Sequence, residues 1–173
     1  MRRLRYQVAT SLDGYIAGPG GGFEWIPDDP DIDFAALFAR FDTAVMGSKT
    51  YLAALRQGES GALPGLDVIV FSRTLRPADH PAVTIVNGDP VETVRALKAA
   101  SGKDIWLYGG GELFRTLLDA GLVDTVEPAV VPILLGGGIP MMPPTPSRTR
   151  LSLANHRLYP KSGIMLLEYA VRR

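Results

Sequence analysis

Three short stretches of this chain carry residues suited to holding phosphate. In DIWLYGGGELFRTLL, residues 104–118, an apolar run leads into Gly109, Gly110 and Gly111, and a helix-like pattern follows at once. Backbone N–H groups at a helix N-terminus attract anions, and glycine lets a phosphate approach them closely. The same triplet is equally a tight strand-to-helix corner. GSKT places Gly47 ahead of a second helix pattern, with Ser48 and Thr50 as hydroxyl donors and Lys49 as a cation. SRT supplies the Ser72 hydroxyl and the Arg73 guanidinium, whose planar fork matches phosphate. Each stretch alone is a weak signal, since GSKT is an ordinary helix start and a lone arginine is often a solvated surface charge. Their joint occurrence suits a ligand with several phosphates. Two common phosphate motifs are excluded. G-x-G-x-x-G requires glycine where Phe114 stands, and the P-loop requires lysine directly after Gly47, where Ser48 stands.

The proton chemistry is less defined. Asp13, in SLDG, is either an acid at a site or the first residue of an Asp-Gly turn. Asp31 and Asp33 precede a helix pattern, where the helix dipole favours negative charge whether or not they donate protons. Trp25, in GGFEWIPDD, is a stacking residue or a loop anchor, and Tyr108 is placed to reach a ligand beside the glycines. His80 and His156 stand apart from any acidic cluster, and there is no cysteine, so no metal site is expected. The absence of cysteine also removes disulfides and a thiolate nucleophile. Eighteen basic residues balance 18 acidic ones without a run of either sign, which gives no footprint for nucleic acid or an anionic membrane. The N-terminal apolar stretch is too broken for a signal peptide, and no run is long enough to span a bilayer. A cytoplasmic protein acting on a small molecule is expected.

The elements that must position these residues read as a single α/β domain over 1–173. Strands are predicted at 3–10, 43–47, 67–72, 82–86, 104–109 and 123–134. Residues 18–30 form a Gly/Pro-rich loop, and the next helix is expected to put Phe34, Leu37, Phe38 and Phe41 on one face. A helix from Ser48 turns Tyr51, Leu52 and Leu55 inward and stops at Gly58. Asp89 as N-cap, Pro90 at the first position and Gly102 beyond the end mark another. The last helix buries Leu113, Phe114, Leu117 and Leu118, and residues 150–173 read as an antiparallel hairpin turning at PKSG. Alternating strands and helices imply a mostly parallel sheet with ligands at the carboxyl ends of its strands, so the three phosphate-type turns share one rim.

With VATSLDGYIA, DTAVMGSKTY, VIVFSRTL, DIWLYGGGELFRTLL and GLVDTVEPAVVPILLGGGIP in this order, the chain resembles the dihydrofolate reductase superfamily. It is most similar there to the reductase domain of bacterial riboflavin biosynthesis and its stand-alone relatives. The resemblance implies a three-layer fold: a mixed, mostly parallel sheet flanked by helices, closed by the C-terminal hairpin. It implies NADPH as cofactor and hydride transfer to a small heterocyclic, carbonyl or imine substrate, of riboflavin-pathway pyrimidine or pterin type. The family's phosphate turn maps onto Gly47, Ser48, Lys49 and Thr50, with Ser48 where an arginine is usual. The pair near the adenosine 2′-phosphate maps onto Ser72 and Arg73. The pyrophosphate turn maps onto Gly109, Gly110 and Gly111, flanked by Tyr108, Glu112 and Leu113. Ala9, Ile16 and Ala17 match the segment that meets the nicotinamide. Leu66 stands where folate reductases carry the arginine that grips the folate carboxylate, so folate is not the expected substrate. Asp13 matches an acid near the substrate, and Asp31 or Asp33 corresponds to the family's helix acid. The alternative is an inactive nucleotide-binding or regulatory module that kept the cofactor rim. GGGIPMM, 136–142, is either a loop at the substrate mouth or a partner surface, and a homodimer is expected by analogy with related reductases.

Overall fold

The computed structural model describes residues 1–172. In chain order the strands and helices are β1 (Leu4–Ser11), β2 (Tyr15–Ala17), α1 (Phe34–Phe38), β3 (Phe41–Gly47), α2 (Ser48–Arg56), β4 (Asp67–Phe71) and β5 (Thr84–Val86). Then come α3 (Pro90–Ala99), β6 (Asp104–Gly109), α4 (Gly111–Asp119), β7 (Thr125–Val131), β8 (Ile139–Pro140), β9 (Leu151–Tyr159) and β10 (Ile164–Val171). Eight strands form one sheet in the order β5-β4-β3-β6-β1-β7-β10-β9, and β2 pairs with β8 outside it. Pairings from β5 through β7 are parallel, and β10 runs antiparallel to both neighbours. This is the mixed, mostly parallel three-layer sheet expected from the sequence.

Strand period two gives each sheet face its own company. On one face Leu4, Tyr6, Ile105, Leu107 and Val126 pack against Val94 of α3 and Leu113, Phe114 and Leu117 of α4. The Tyr6 and Phe114 rings stack with centroids 3.9 Å apart. On the other face Ala44, Met46, Val68, Val70 and Trp106 pack against Tyr51, with Leu52 and Leu55 of α2 at the edge. Farther along this second face, Trp25, Ile26 and Ile32 of the 18–33 segment lie against Val131, Tyr159 and Ile164. Helix α2 thus covers one end of that face and the loop covers the other, and the strands between them form a floor.

Three boundaries differ from the sequence expectation. Phe41 does not continue α1; the helix ends at Phe38 and Phe41 opens β3. The helical spacing misleads because both aromatics reach the same indole, with Phe38 and Phe41 each 5.5 Å from the Trp106 ring. The strand expected over 123–134 spans only Thr125–Val131, ending before Pro132, which has no N–H to donate. The strand expected over 82–86 begins at Thr84. The short pair β2 and β8 had no legible pattern.

Candidate active site

The floor strands of the second face, β1, β6 and β7, line a cleft of about 1930 Å³. Its rim carries the three glycine and hydroxyl turns, all at strand carboxyl ends. Gly47, Ser48, Lys49 and Thr50 line it after β3, Ser72 and Arg73 after β4, and Tyr108 through Leu113 after β6. Ala9, Ile16 and Ala17 line it from β1 and β2. The structure therefore brings the expected cofactor residues to one place.

The four helices divide by how they begin. Asp33 caps α1, accepting from Ala36 N at 2.8 Å, and Asp89 caps α3, accepting from Val91 N at 2.9 Å. Gly47 and Gly110 precede α2 and α4 with no side-chain cap. All four starts border the cleft, but only at α2 and α4 do the first N–H groups lack a side-chain acceptor while carrying the positive end of the dipole. The Gly109–Gly110 peptide is cis. A Cβ on Gly110 would stand 3.0 Å from Thr50 Oγ1, so the two turns pack against each other. A Cβ on Gly111 would stand 2.8 Å from the Met141 carbonyl oxygen and 2.9 Å from that of Pro140. Gly47 has no atom within 4 Å of such a Cβ.

The polar side chains on the rim have unequal freedom. Ser72 is buried and its Oγ accepts from Leu75 N at 3.0 Å and Thr74 N at 3.2 Å, so it shapes the turn that presents Arg73. Arg73 is exposed and makes no ion pair within 4 Å among the described residues. Lys49 pairs with Glu112 at 3.1 Å across the two helix starts, both side chains being largely exposed. Burial pushes the Tyr108 hydroxyl above its ordinary pKa, with Glu59 adding to the shift. Tyr108 meets the Trp106 ring edge-on at 5.0 Å.

The acids expected from the sequence each hold a hydrogen bond or an ion pair within the fold. Asp13 does not line the cleft; it accepts from Ser11 Oγ at 2.6 Å, Gly136 N at 2.8 Å and Leu135 N at 3.1 Å, tying two loops together. The Ser11 hydroxyl foremost, then these backbone donors, hold its carboxyl below the usual range. Asp31 also lies outside the lining and pairs with Lys161 at 2.8 Å. Asp33 lines the cleft, but its Oδ1 is the α1 cap. Trp25 is a loop anchor in the Val131 cluster, with its indole N–H donating to Gly22 O at 3.3 Å. Residues 136–142 resolve toward the cleft. Ile139 and Pro140 line it, Met141 O accepts from the Tyr6 hydroxyl at 2.9 Å, and Met141 and Met142 pack on the core. Among the described residues no group of three or more His, Cys, Asp or Glu side chains is placed to hold a metal. No helix there is long and apolar enough to cross a membrane.

The sequence reading missed the floor. Gln7 of β1 and Glu127 of β7 are register partners and both line the cleft. They stand on the second sheet face with Trp106, which pairs with Arg5 two residues before Gln7. Arg5 Nε donates to Glu127 Oε1 at 2.7 Å and Thr125 Oγ1 donates to it at 2.6 Å. Arg5 also holds Glu168 at 2.9 Å and Asp104 at 3.3 Å. Burial pushes the Glu127 carboxyl above its ordinary range, against the Thr125 hydrogen bond and the Arg5 charge. Polar residues at alternate positions of two adjoining, otherwise apolar strands were the available signal.

Comparison with known proteins agrees with this fold. Residues 2–164 match the family model described as the RibD C-terminal domain. The chain is 32% identical over 179 residues to the Bacillus subtilis uncharacterized protein YyaP, covering 97% of this chain and 94% of that one. A crystal structure of a putative riboflavin biosynthesis protein from Shewanella sp. PV-4 superposes with TM-score 0.83 at 28% identity, covering both chains entirely. Enterococcus faecalis dihydrofolate reductase complexed with NADP(H) and RAB-propyl shares the fold, with TM-score 0.71 at 17% identity over 99% of this chain and 97% of that one.

Proposed function

Because this chain belongs to the RibD C-terminal domain family, we propose that it is an NADPH-dependent reductase acting on a small heterocyclic, carbonyl or imine substrate of riboflavin-pathway pyrimidine or pterin type. One observation carries the reading: two helices that begin on glycine without a side-chain cap open on the same cleft as the unpaired Arg73. That donor set fits a dinucleotide phosphate. Bound NADPH supplies the hydride, as it does the reducing chemistry of this superfamily.

The chain's own residues bind, orient and exclude water. The N–H groups at the starts of α2 and α4 hold the pyrophosphate, and Arg73 takes the 2′-phosphate. Ala9 of β1 and Ala17 of β2 are small enough for a flat ring to lie against them. Trp106, Tyr108 and the 18–33 segment close the substrate half, so charge developing on the substrate meets fixed dipoles in place of water. The proton that completes reduction enters from solvent or from an acid of the floor.

Melting in the presence of NADPH tests the cofactor half. Ligand at ~100 times its Kd stabilises by roughly 2.7 kcal/mol, and no shift at millimolar NADPH or NADH refutes it. Loss of nicotinamide absorbance across a panel of pyrimidines, pterins and imines tests the reaction. A second reading, a nucleotide-binding module without turnover, draws on the engagement of Asp13, Asp31 and Asp33 in loop and cap contacts. Saturable NADPH binding with no oxidation across that panel supports it. A homodimer is the proposed assembly, supported by outer strand β9, which leaves Leu151, Leu153 and Leu158 exposed; sedimentation velocity distinguishes it from a monomer.

A further inference from the structure

Four aromatic rings run in series along the cleft. From centroid to centroid, Phe34 and Phe38 of α1 stand 6.3 Å apart, Phe38 and Trp106 of β6 5.5 Å, and Trp106 and Tyr108 5.0 Å. All four line the cavity. Helix α1 has no buried residue, and Phe34 at its start is 53% exposed. Core packing therefore gives no reason for an aromatic there. The series runs from solvent at Phe34 to Tyr108, which directly precedes the glycine turn of α4. A single ring stacks within about 4.5–7 Å of a partner centroid and so meets one or two members of the series. A flat molecule of several fused rings meets three. The cavity agrees with the larger ligand. At about 1930 Å³ it is roughly twice the upper size of a drug-sized pocket, which leaves room for a dinucleotide and a second extended molecule.

The carboxyls of the cleft constrain the chemistry. Glu127 and Glu168 are paired with Arg5, and the Arg40 guanidinium lies 3.6 Å from the second oxygen of Glu127. Asp33 and Asp89 cap helices, Glu112 pairs with Lys49, and Asp28 and Glu59 are exposed to solvent. The lining thus offers no carboxyl that is both free and shielded from water. Reduction of an isolated carbonyl calls for a proton from a positioned acid as the hydride arrives. An acceptor that spreads the incoming charge over a conjugated ring system does not.

We propose that the substrate of this cleft is a fused three-ring heteroaromatic of isoalloxazine type, a free flavin, stacked along Phe34, Phe38 and Trp106. The proposal rests on the reductase reading and names the substrate class for it. In the step, N5 of the isoalloxazine takes hydride from NADPH. One C–H bond of the nicotinamide breaks, the N5–H bond forms, and the electron pair of the N5=C4a bond moves through the conjugated system to N1. The flavin is reduced by two electrons and NADPH is oxidised to NADP⁺. N1 shares its charge with the adjoining pyrimidinedione and takes a proton from water afterwards.

The test titrates lumiflavin into the full chain without cofactor. Its fluorescence is expected to fall saturably as it stacks on the series. Phe34→Ala and Phe38→Leu should each weaken it by about three- to tenfold, the range of one aromatic pair, with NADPH affinity within about twofold of the original. Uracil, a single ring, should bind at least tenfold more weakly than lumiflavin. Mixed anaerobically with the NADPH-loaded chain, lumiflavin should bleach one-for-one with NADPH oxidation, at a single-turnover rate unchanged in D₂O. Absence of saturable quenching up to the solubility limit overturns the proposal. So does quenching that both substitutions leave intact, uracil binding as tight as that of lumiflavin, bound lumiflavin that is not bleached, or a bleaching rate that drops in D₂O. Phe34→Ala decides the matter if Phe38→Leu does not fold, since α1 buries no residue. Failure of NADPH to bind refutes the reductase reading alone, because the quenching needs no cofactor.

Discussion

Alanine at two glycines of the rim separates what the fold needs from what a ligand needs. At Gly111 a Cβ would lie 2.8 Å from Met141 O and 2.9 Å from Pro140 O. Ordinary carbon–oxygen contact is about 3.4 Å, so the backbone of residues 140–141 must retreat by roughly half an ångström. That backbone is held by the Tyr6 hydroxyl and by Met141 N donating to Gly14 O at 2.9 Å. Overpacking of this kind costs about 1–3 kcal/mol, against a helix-propensity gain of about 1 kcal/mol for Gly→Ala. The net for Gly111→Ala is a loss of up to about 2 kcal/mol, or a Tm lower by up to about 8 °C for a domain of this size. At Gly47 the same substitution meets nothing within 4 Å, and φ is −81°. Gly47→Ala should therefore leave the Tm of the ligand-free chain within about 2 °C. If a phosphate approaches this turn, the added methyl group stands in its way, and the Tm rise produced by NADPH should shrink by at least half. Thermal melts of the original and both variants, with and without millimolar NADPH, read all of this. A Gly47→Ala variant with the full NADPH shift would refute the placement of phosphate at α2. A Gly111→Ala variant more stable than the original would refute the steric reasoning.

Arg73→Ala should weaken NADPH by about 10- to 100-fold, the range of a charge-assisted contact of 1.5–3 kcal/mol, and NADH little; equal losses measured by cofactor fluorescence would place Arg73 away from a 2′-phosphate. Leu117→Ala, in the fully buried face of α4, should cost about 2–5 kcal/mol in urea unfolding without altering the cofactor preference. Glu127 gives a pH signature. Its folded pKa lies above the unfolded value of about 4.3, so its contribution is fully present below that value and is lost as pH rises through the folded one. Arg5, Arg40, Thr125 and Glu168 face the carboxyl and stay in place in E127Q. E127Q should therefore gain stability relative to the original as pH rises from about 4 to 7.5, which paired urea melts at each pH would detect.

Much of the architecture was legible because local signals agreed with tertiary ones. Asp89 and Pro90 start α3, and Gly58 follows α2 with φ +83°. The phosphate-type turns were legible for the same reason, since each sits where a strand pattern gives way to a helix pattern. What escaped depended on contacts between distant segments. Asp13 looks the same in sequence whether it faces a ligand or receives Gly136 N. The floor was hidden because Gln7 and Glu127 are polar interruptions in apolar strands, and only strand register brings them together. Phe41 shows the converse: a spacing can be helical while its residues bury against one indole from two elements.

Strand β1 lies between β6 and β7, with Leu4 opposite Ile105 and Arg5 opposite Thr125. Both neighbours are about a hundred residues away along the chain. During synthesis at roughly 5–20 residues per second, β1 waits on the order of 5–20 seconds before either partner exists. Through that interval Tyr6 and Val8 have no sheet to join, and Gln7 has no Glu127 beside it. The rim of glycine and hydroxyl turns, built around β3, β4 and β6, can form from closer neighbours first. The floor, which needs β1, β6 and β7 together, is completed only after Val131 has been made.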